Sequence, residues 1–303
     1  MWELIRPILE FKNPVVYAIP FFLIFTGIEA YLNYKERSNN YVLKDSLACI
    51  SMGIGSLFID IIAKSLAFVA FTYLFINFGF FKEYLSWTVL GWILLFFLDD
   101  FTFYWHHRLS HEIRILWAAH VNHHSSVNYN LSTAVRQSWT EILYKYIFFL
   151  WLPLVGFDPI MVLTQISINL IFQFWIHTKM IDKMPYWFEF IFNSPSHHRV
   201  HHASNVRYLD RNHAGTLIIW DRMFGTFAEE KKEEAPIYGI TTNINTYNPL
   251  IIATHEYGNL IQDVKKAPTF IDKLKYIFYP PGWSHNGKTK TANELRKELK
   301  AEK

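Results

Sequence analysis

Long runs with almost no charge fill most of the first 180 residues, and they constrain the fold more than any other feature of the chain. The first extends from Asn13 to Ile28 without a charged residue and continues past Glu29 to about Tyr34, where Lys35, Glu36 and Arg37 follow. A second runs from Ser46 to Phe81, interrupted by Asp60 and Lys64, whose i,i+4 spacing lets them pair on one helix face. A third covers Tyr84 to Leu98 and continues through Asp99, Asp100 and an aromatic stretch to Trp105. A fourth and fifth lie between Ile142 and Ile176, divided by Pro153, Gly156, Asp158 and Pro159. Asp158 suits an N-cap and Pro159 a first helical position, so this stretch reads as a helical hairpin over 142–176. A bilayer core needs about 20 apolar residues per helix. The runs meet that roughly, and the second is too long for one perpendicular span. Helices apolar on all sides belong in lipid rather than in a soluble core.

Charge sets the expected orientation. Lys35, Arg37 and Lys44 follow the first run, while only Lys82 separates the second from the third. Arg108, Arg114, Arg136 and Lys145 follow the third, and Lys179, Lys183, Arg199, Arg207 and Arg211 follow the fifth. By the positive-inside rule the basic loops are cytoplasmic, and five spans with the N-terminus outside satisfy every loop. The start, MWELIRPILEFKN, is amphipathic and carries no cleavage-type motif. Charges become frequent again from about Glu229. The domain reading is therefore membrane helices over 1–105, a histidine-rich core over 106–228 and a polar cytoplasmic region over 229–303. Net charge is 29 − 26 = +3, too small for a nucleic-acid binder.

Eleven of the 14 histidines fall between His106 and His202. Three boxes stand out: His107-x3-His111, His120-x2-His123-His124 and His198-x2-His201-His202. On a helix, i,i+3 and i,i+4 share a face, so each box aims two or three imidazoles in one direction. At this histidine frequency an H-x2-HH pattern arises by chance about 0.03 times per chain, and here there are two. Neutral imidazole is the commonest protein metal ligand. Eight of them exceed the need of one ion, so two ions are expected, and His177 at the end of the fifth run is placed to add a ninth ligand. All-nitrogen sites suit Zn, Cu, Fe or Ni. A lone structural zinc leaves half the set unused; two Fe ions use all of it and add O2 chemistry. The single cysteine, Cys49, excludes cysteine-rich zinc sites, Fe–S clusters and a disulfide framework.

Asp100 lies two helical turns before His107, and a carboxylate beside a membrane usually has a task; orienting a ligand imidazole is the role expected of it. His106 points about 100° away from His107 and is not expected to be a ligand. Whether His197 or His213 contributes stays open. Tyr104, Tyr129, Trp175, Trp187 and Trp220 are candidates to line a lipid cleft.

The three boxes resemble those of the fatty acid hydroxylase (sterol desaturase) superfamily of membrane di-iron oxygenases. Trp117–Ser138, the FWIHT segment from Phe174 and NSPSHHRVHHASN from Asn193 further resemble the alkylglycerol monooxygenases. The resemblance covers about residues 85 to 230. It implies that His107, His111, His120, His123, His124, His177, His198, His201 and His202 hold two Fe2+ ions. It also implies a role for Glu112, the acidic residue after the first box, in orienting a ligand imidazole.

The combined expectation is an all-α integral membrane bundle of about four to five transmembrane helices, capped by a cytoplasmic helical region that holds the dimetal site. Its membrane would be a bacterial inner membrane or the endoplasmic reticulum. The expected activity is O2-dependent hydroxylation of a lipid C–H bond, with electrons from an external donor. In the ether-lipid case a hemiacetal forms and falls apart to an aldehyde and a glycerol lipid, with tetrahydrobiopterin as the implied donor. The alternatives are a hydroxylase or desaturase of another lipid (a sterol, carotenoid or amino-acid-containing lipid), or a non-catalytic metal-binding membrane protein.

Overall fold

A computed structural model describes residues 12–301, so the amphipathic start at 1–11 lies outside the described residues. Among them the fold is all-α, with isolated bridges and no strand. The longer helices are α1 (Pro14–Glu36), α2 (Leu43–Phe78), α3 (Val89–Glu112), α4 (Arg114–His124), α5 (Pro159–Trp175), α6 (Pro195–His201), α7 (Pro249–Lys266), α8 (Phe270–Phe278) and α9 (Ala292–Ala301).

Their ends follow from local chemistry. Asn13 Oδ1 accepts from the Val15 amide at 3.1 Å and Pro14 opens α1, which stops where Arg37 turns left-handed at φ 55°. Asp158 Oδ1 accepts from the Ile160 amide at 2.8 Å and Pro159 opens α5, the cap that the sequence predicts. Asp60 and Lys64 do pair, at 2.9 Å.

Helices α1 and α2 are long and apolar enough to cross a bilayer. Only 6% of the most apolar stretch of α1 is buried by protein, so its natural neighbour is lipid, and this is a membrane protein. The one buried acid on α1, Glu29, accepts from the Leu131 amide at 2.8 Å and from the hydroxyls of Tyr41 and Thr178. That clamps an otherwise lipid-facing helix to the histidine-bearing end of the molecule.

The fourth apolar run departs from the expected single span. It forms short pieces: Glu141–Lys145, a 3-10 turn over Tyr146–Phe149, and Trp151–Val155. Pro153 has no N–H to give to Phe149, so one continuous helix cannot pass through it. Packing holds the broken arm instead: Ile142, Tyr146, Phe149 and Leu152 are buried with Phe71, Leu95 and Met161. The arm still reaches the far end of the bundle. There the Phe80 and Phe81 amides donate to the Leu154 and Val155 carbonyls at 3.0 and 2.9 Å. Gly156 is required at that meeting, since its φ is 122° and a Cβ would sit 2.5 Å from the Lys82 nitrogen.

The chain passes through residue 105 inside α3 without a break. In the C-terminal region α7 packs along α4, where Arg114 pairs with Glu256 at 3.0 Å and Asp263 at 2.7 Å.

Candidate metal centre

Four helical pieces supply the imidazoles: the end of α3, all of α4, the residues just after α5, and α6. Each box turns its histidines to one side, and the sides meet. Two groups result. His107, His111, His120, His124 and His201 form one; His123, His177, His198 and His202 form the other. Within each group one nitrogen per residue lies within 4.8 Å of all the rest. The groups adjoin, with the rings of His124 and His202 stacked at 4.4 Å. All nine predicted ligands are thus brought together. His106, His197 and His213 fall outside both groups.

Hydrogen bonds fix which nitrogen faces inward. His107 Nδ1 donates to the His213 carbonyl at 2.7 Å, His123 Nδ1 to the Arg136 carbonyl at 3.2 Å, and His177 Nδ1 to the Gln173 carbonyl at 2.7 Å. His201 Nδ1 donates to the Arg211 carbonyl at 2.9 Å. His111 Nδ1 faces Asp210 at 3.2 Å and His120 Nδ1 faces Glu141 at 3.0 Å. A carbonyl or carboxylate can only accept, so these six rings carry their proton on Nδ1 and present a bare Nε2 lone pair inward. Those lone pairs crowd together: Nε2 to Nε2 is 3.0 Å for His107–His120 and 3.1 Å for His123–His177. No hydrogen lies between such pairs, and a shared cation would satisfy both lone pairs. Two nitrogens bound at right angles to one ion, each about 2.1 Å from it, stand about 3.0 Å apart. The inward nitrogens of His111 and His201 have no protein partner at all. The donor set therefore fits a pair of nitrogen-ligated metal ions.

Burial adds to the fit. It pushes His123, His124, His198, His201 and His202 well below the ordinary imidazole range, and repulsion among neighbouring histidines adds to the shift. These rings are neutral and ready to ligate at pH 7.

One loop orients much of the five-histidine group. Residues 210–213 receive the outward N–H groups of His111, His201 and His107, and Asp210 and Asn212 hold left-handed φ values of 50° and 57°. Asn212 ties the loop down through the His197 and Ala228 carbonyls and the Ala228 amide. Asp221 accepts from the His213 and Ala214 amides, both at 2.8 Å.

Asp100 does not touch a ligand imidazole. It accepts from the Thr216 and Leu217 amides at 2.7 and 2.9 Å and from Trp220 Nε1 at 3.0 Å. It anchors the segment just after His213 and so acts on His107 only through that segment. Glu112 likewise bonds no imidazole; its carboxylate accepts from Arg108 Nε at 2.9 Å, and Asp210 occupies the place beside His111. The five aromatic residues proposed for a lipid cleft are not on the wall of the cavity at the centre, where Phe22, Phe103 and Phe174 stand instead.

Glu141 carried no sequence signal. It sits 3.0 Å from His120 and 3.5 Å from His106, on the same cavity wall. Glu141→Ala removes the acceptor for His120 and should weaken metal binding by about 10–100-fold, while Glu141→Gln keeps an acceptor oxygen and should lose less. Competition against a chelator measures both, and equal losses would refute the role.

That cavity measures about 270 Å3. Ile19, Phe22 and Leu23 of α1 line one side and Ile50, Ile54 and Leu57 of α2 the other. His107 and His120 of one group and His123, His177 and His198 of the other close its inner end. Helices α1 and α2 both pack on α5 and residues 131–134 and touch each other little, while α2 also packs on segments 141–145 and 151–155. A largely apolar cavity lined by both helices, with Asp60, Lys64, Glu141 and Lys145 on part of its wall, thus reaches histidines of both groups.

Residues 92–226 match the sequence profile of the fatty acid hydroxylase family. That stretch is a fatty acid hydroxylase domain. Among curated relatives, the alkylglycerol monooxygenase of Homo sapiens is 39% identical over 277 residues, covering 90% of this chain and 61% of the relative. That of Xenopus tropicalis is 38% identical over 267 residues, covering 88% of this chain and 58% of the relative. The ornithine lipid hydroxylase OlsE of Rhizobium tropici is 29% identical over 157 residues, covering 52% and 46%. The chain therefore spans about three-fifths of the length of the two monooxygenases. No solved structure matches it.

Proposed function

We propose that this protein is a membrane-bound di-iron monooxygenase that hydroxylates a lipid C–H bond, and that its substrate is an alkylglycerol ether. The observation that carries this is one largely apolar cavity lined both by α1 and α2 and by histidines of both groups. An alkyl chain can enter it sideways from the bilayer and present one carbon to the centre. Iron bound by these imidazoles would supply the activation of O2, with two electrons from an external donor such as tetrahydrobiopterin. One oxygen atom enters the C–H bond beside the ether oxygen and the other leaves as water, taking up two protons. The hemiacetal then breaks to an aldehyde and a free glycerol hydroxyl.

The chain's own residues position and exclude. Phe22, Phe174 and Ile54 make an apolar part of the cavity wall and limit water at the centre. Glu141, Asp210 and the Arg211 and His213 carbonyls hold the ligand rings in one tautomer. We place the centre at the cytoplasmic surface on the strength of the basic loops around it. Segments 141–155, α3 and α5 then join α1 and α2 as five crossings, with 106–228 as the catalytic core and 229–303 on the cytoplasmic side. The membrane is either a bacterial inner membrane or the endoplasmic reticulum. A second reading, hydroxylation of an amino-acid-containing lipid, has the OlsE match in its favour.

Metal and product test these readings together. Protein purified in detergent should hold two irons and release fatty aldehyde from 1-O-alkylglycerol with O2 and tetrahydrobiopterin, and His123→Ala should abolish release. Two irons without aldehyde would turn the reading to the other lipids. Fewer than two metals in folded, loaded protein would overturn the dinuclear mechanism.

A further inference from the structure

The same cavity has a charged wall that the reaction leaves unexplained. Asp60, Lys64 and Lys145 line it, although the first two lie within the apolar helix α2. Lys64 is only 8% exposed and pairs with Asp60 at 2.9 Å; Asp60 also accepts from the Tyr146 hydroxyl at 2.6 Å. Lys145 differs. Its ammonium lies 5.3 Å from the centre of the Tyr146 ring and has no hydrogen-bond or ion-pair partner among the described residues. A pair that served only to dock α2 on the 141–146 segment would need no third charge. An ammonium with three donors and no acceptor among the described residues, lining a cavity, points to an acceptor on a ligand.

Depth supports this. Asp60 stands 18 residues from the Phe78 end of α2, and His107 stands 18 residues from the Val89 end of α3. The two ends adjoin through residues 79–88, so both groups lie about 27 Å above that turn, near the edge of a hydrocarbon core about 30 Å thick. Lipid heads sit at that level, and the ether-linked carbon is the one nearest the head.

Charge balance selects the head. The cavity wall carries two carboxylates, Asp60 and Glu141, and two ammonium groups, Lys64 and Lys145. A phosphate would add negative charge beside both carboxylates. A neutral head with hydroxyl groups can donate to Asp60 and accept from Lys145. Resting on the lipid monooxygenase reading, we propose that Asp60, Lys64 and Lys145 form a headgroup site for a neutral, hydroxyl-bearing lipid head, which fixes the first alkyl carbon against the histidine centre.

The test uses the full chain in detergent, loaded with zinc so that binding is read without turnover. Native mass spectrometry follows 1-O-hexadecylglycerol, hexadecyl methyl ether and 1-O-hexadecylglycerol 3-phosphate. Wild type should prefer the glycerol ether to its phosphate. Lys145→Met leaves the Asp60–Lys64 pair intact and should weaken the glycerol ether by about 10–100-fold while leaving the methyl ether unchanged. The double variant Asp60→Leu/Lys64→Leu removes the pair without stranding a charge and should do the same. Unchanged metal content and unfolding midpoint in Lys145→Met establish that it is folded. Equal weakening of both ethers, no weakening of either, a wild-type preference for the phosphate, or no binding of any of the three would overturn the site. If the zinc form binds the glycerol ether selectively but the iron form yields no aldehyde, the headgroup site stands and ether cleavage falls.

Discussion

Replacing His198 with alanine is expected to cost the protein one of the two metal ions proposed for it, whereas replacing His107 should leave both in place, one of them held more weakly. The asymmetry follows from the count. His198 belongs to the group of four, and its loss leaves His123, His177 and His202, one short of a closed tetrahedral nitrogen set. His107 belongs to the group of five, and its loss still leaves His111, His120, His124 and His201. Turnover should fall by ~10^3-fold or more in both, equivalent to ~4 kcal/mol of barrier, since each change alters the electron-accepting centre itself. Metal quantified after dialysis against a weak chelator separates the two. Loss of both ions together from either variant would show one cooperative cluster instead of two sites.

That asymmetry was only partly legible in the sequence. Helical spacing exposes which histidines share a face, so the nine ligands could be named before their positions were known. How they divide could not, because α4 sends His120 and His124 to one group and His123 to the other. His177 was readable from its place at the end of an apolar run. The partners of the ligands were not. Glu141 lies 21 residues beyond His120 and has no fixed spacing to it. The carbonyls of Arg136, Arg211 and His213 are backbone atoms, and a backbone acceptor leaves no mark on residue type. Asp100 is readable as a carboxylate beside the membrane with a task, but its partners at Thr216 and Leu217 are more than 110 residues away. The fourth apolar run misled because hydropathy reports where a segment resides, not whether its backbone stays continuous; Pro153 decided that.

Metal-free protein should be acid-labile well above the pH at which carboxylates protonate. His123, His124, His198, His201 and His202 are held neutral by burial, with folded-state values far below the ordinary 6.5 of an exposed imidazole. The unfolded chain takes up a proton at each near pH 6.5; the folded chain does not. Protons therefore favour unfolding, and the stability present above pH 6.5 is lost as pH falls through that value. Each fully protected imidazole contributes a slope of ~1.4 kcal/mol per pH unit. The unfolded imidazole is only half protonated at pH 6.5, so three such groups give ~3 kcal/mol between pH 6.5 and 5.5, a large share of the 5–15 kcal/mol that typically separates folded from unfolded domains. Metal competes for the same lone pairs, so loaded protein should hold its unfolding midpoint to lower pH. Thermal unfolding in detergent from pH 7.5 to 5.0, with and without metal, measures both curves. His201→Asn/His202→Asn should flatten the metal-free curve, since two of the groups that unfolding would protonate are gone. A midpoint independent of pH over this range would mean that the cluster opens to water in the folded state, and the buried arrangement of lone pairs would have to be abandoned.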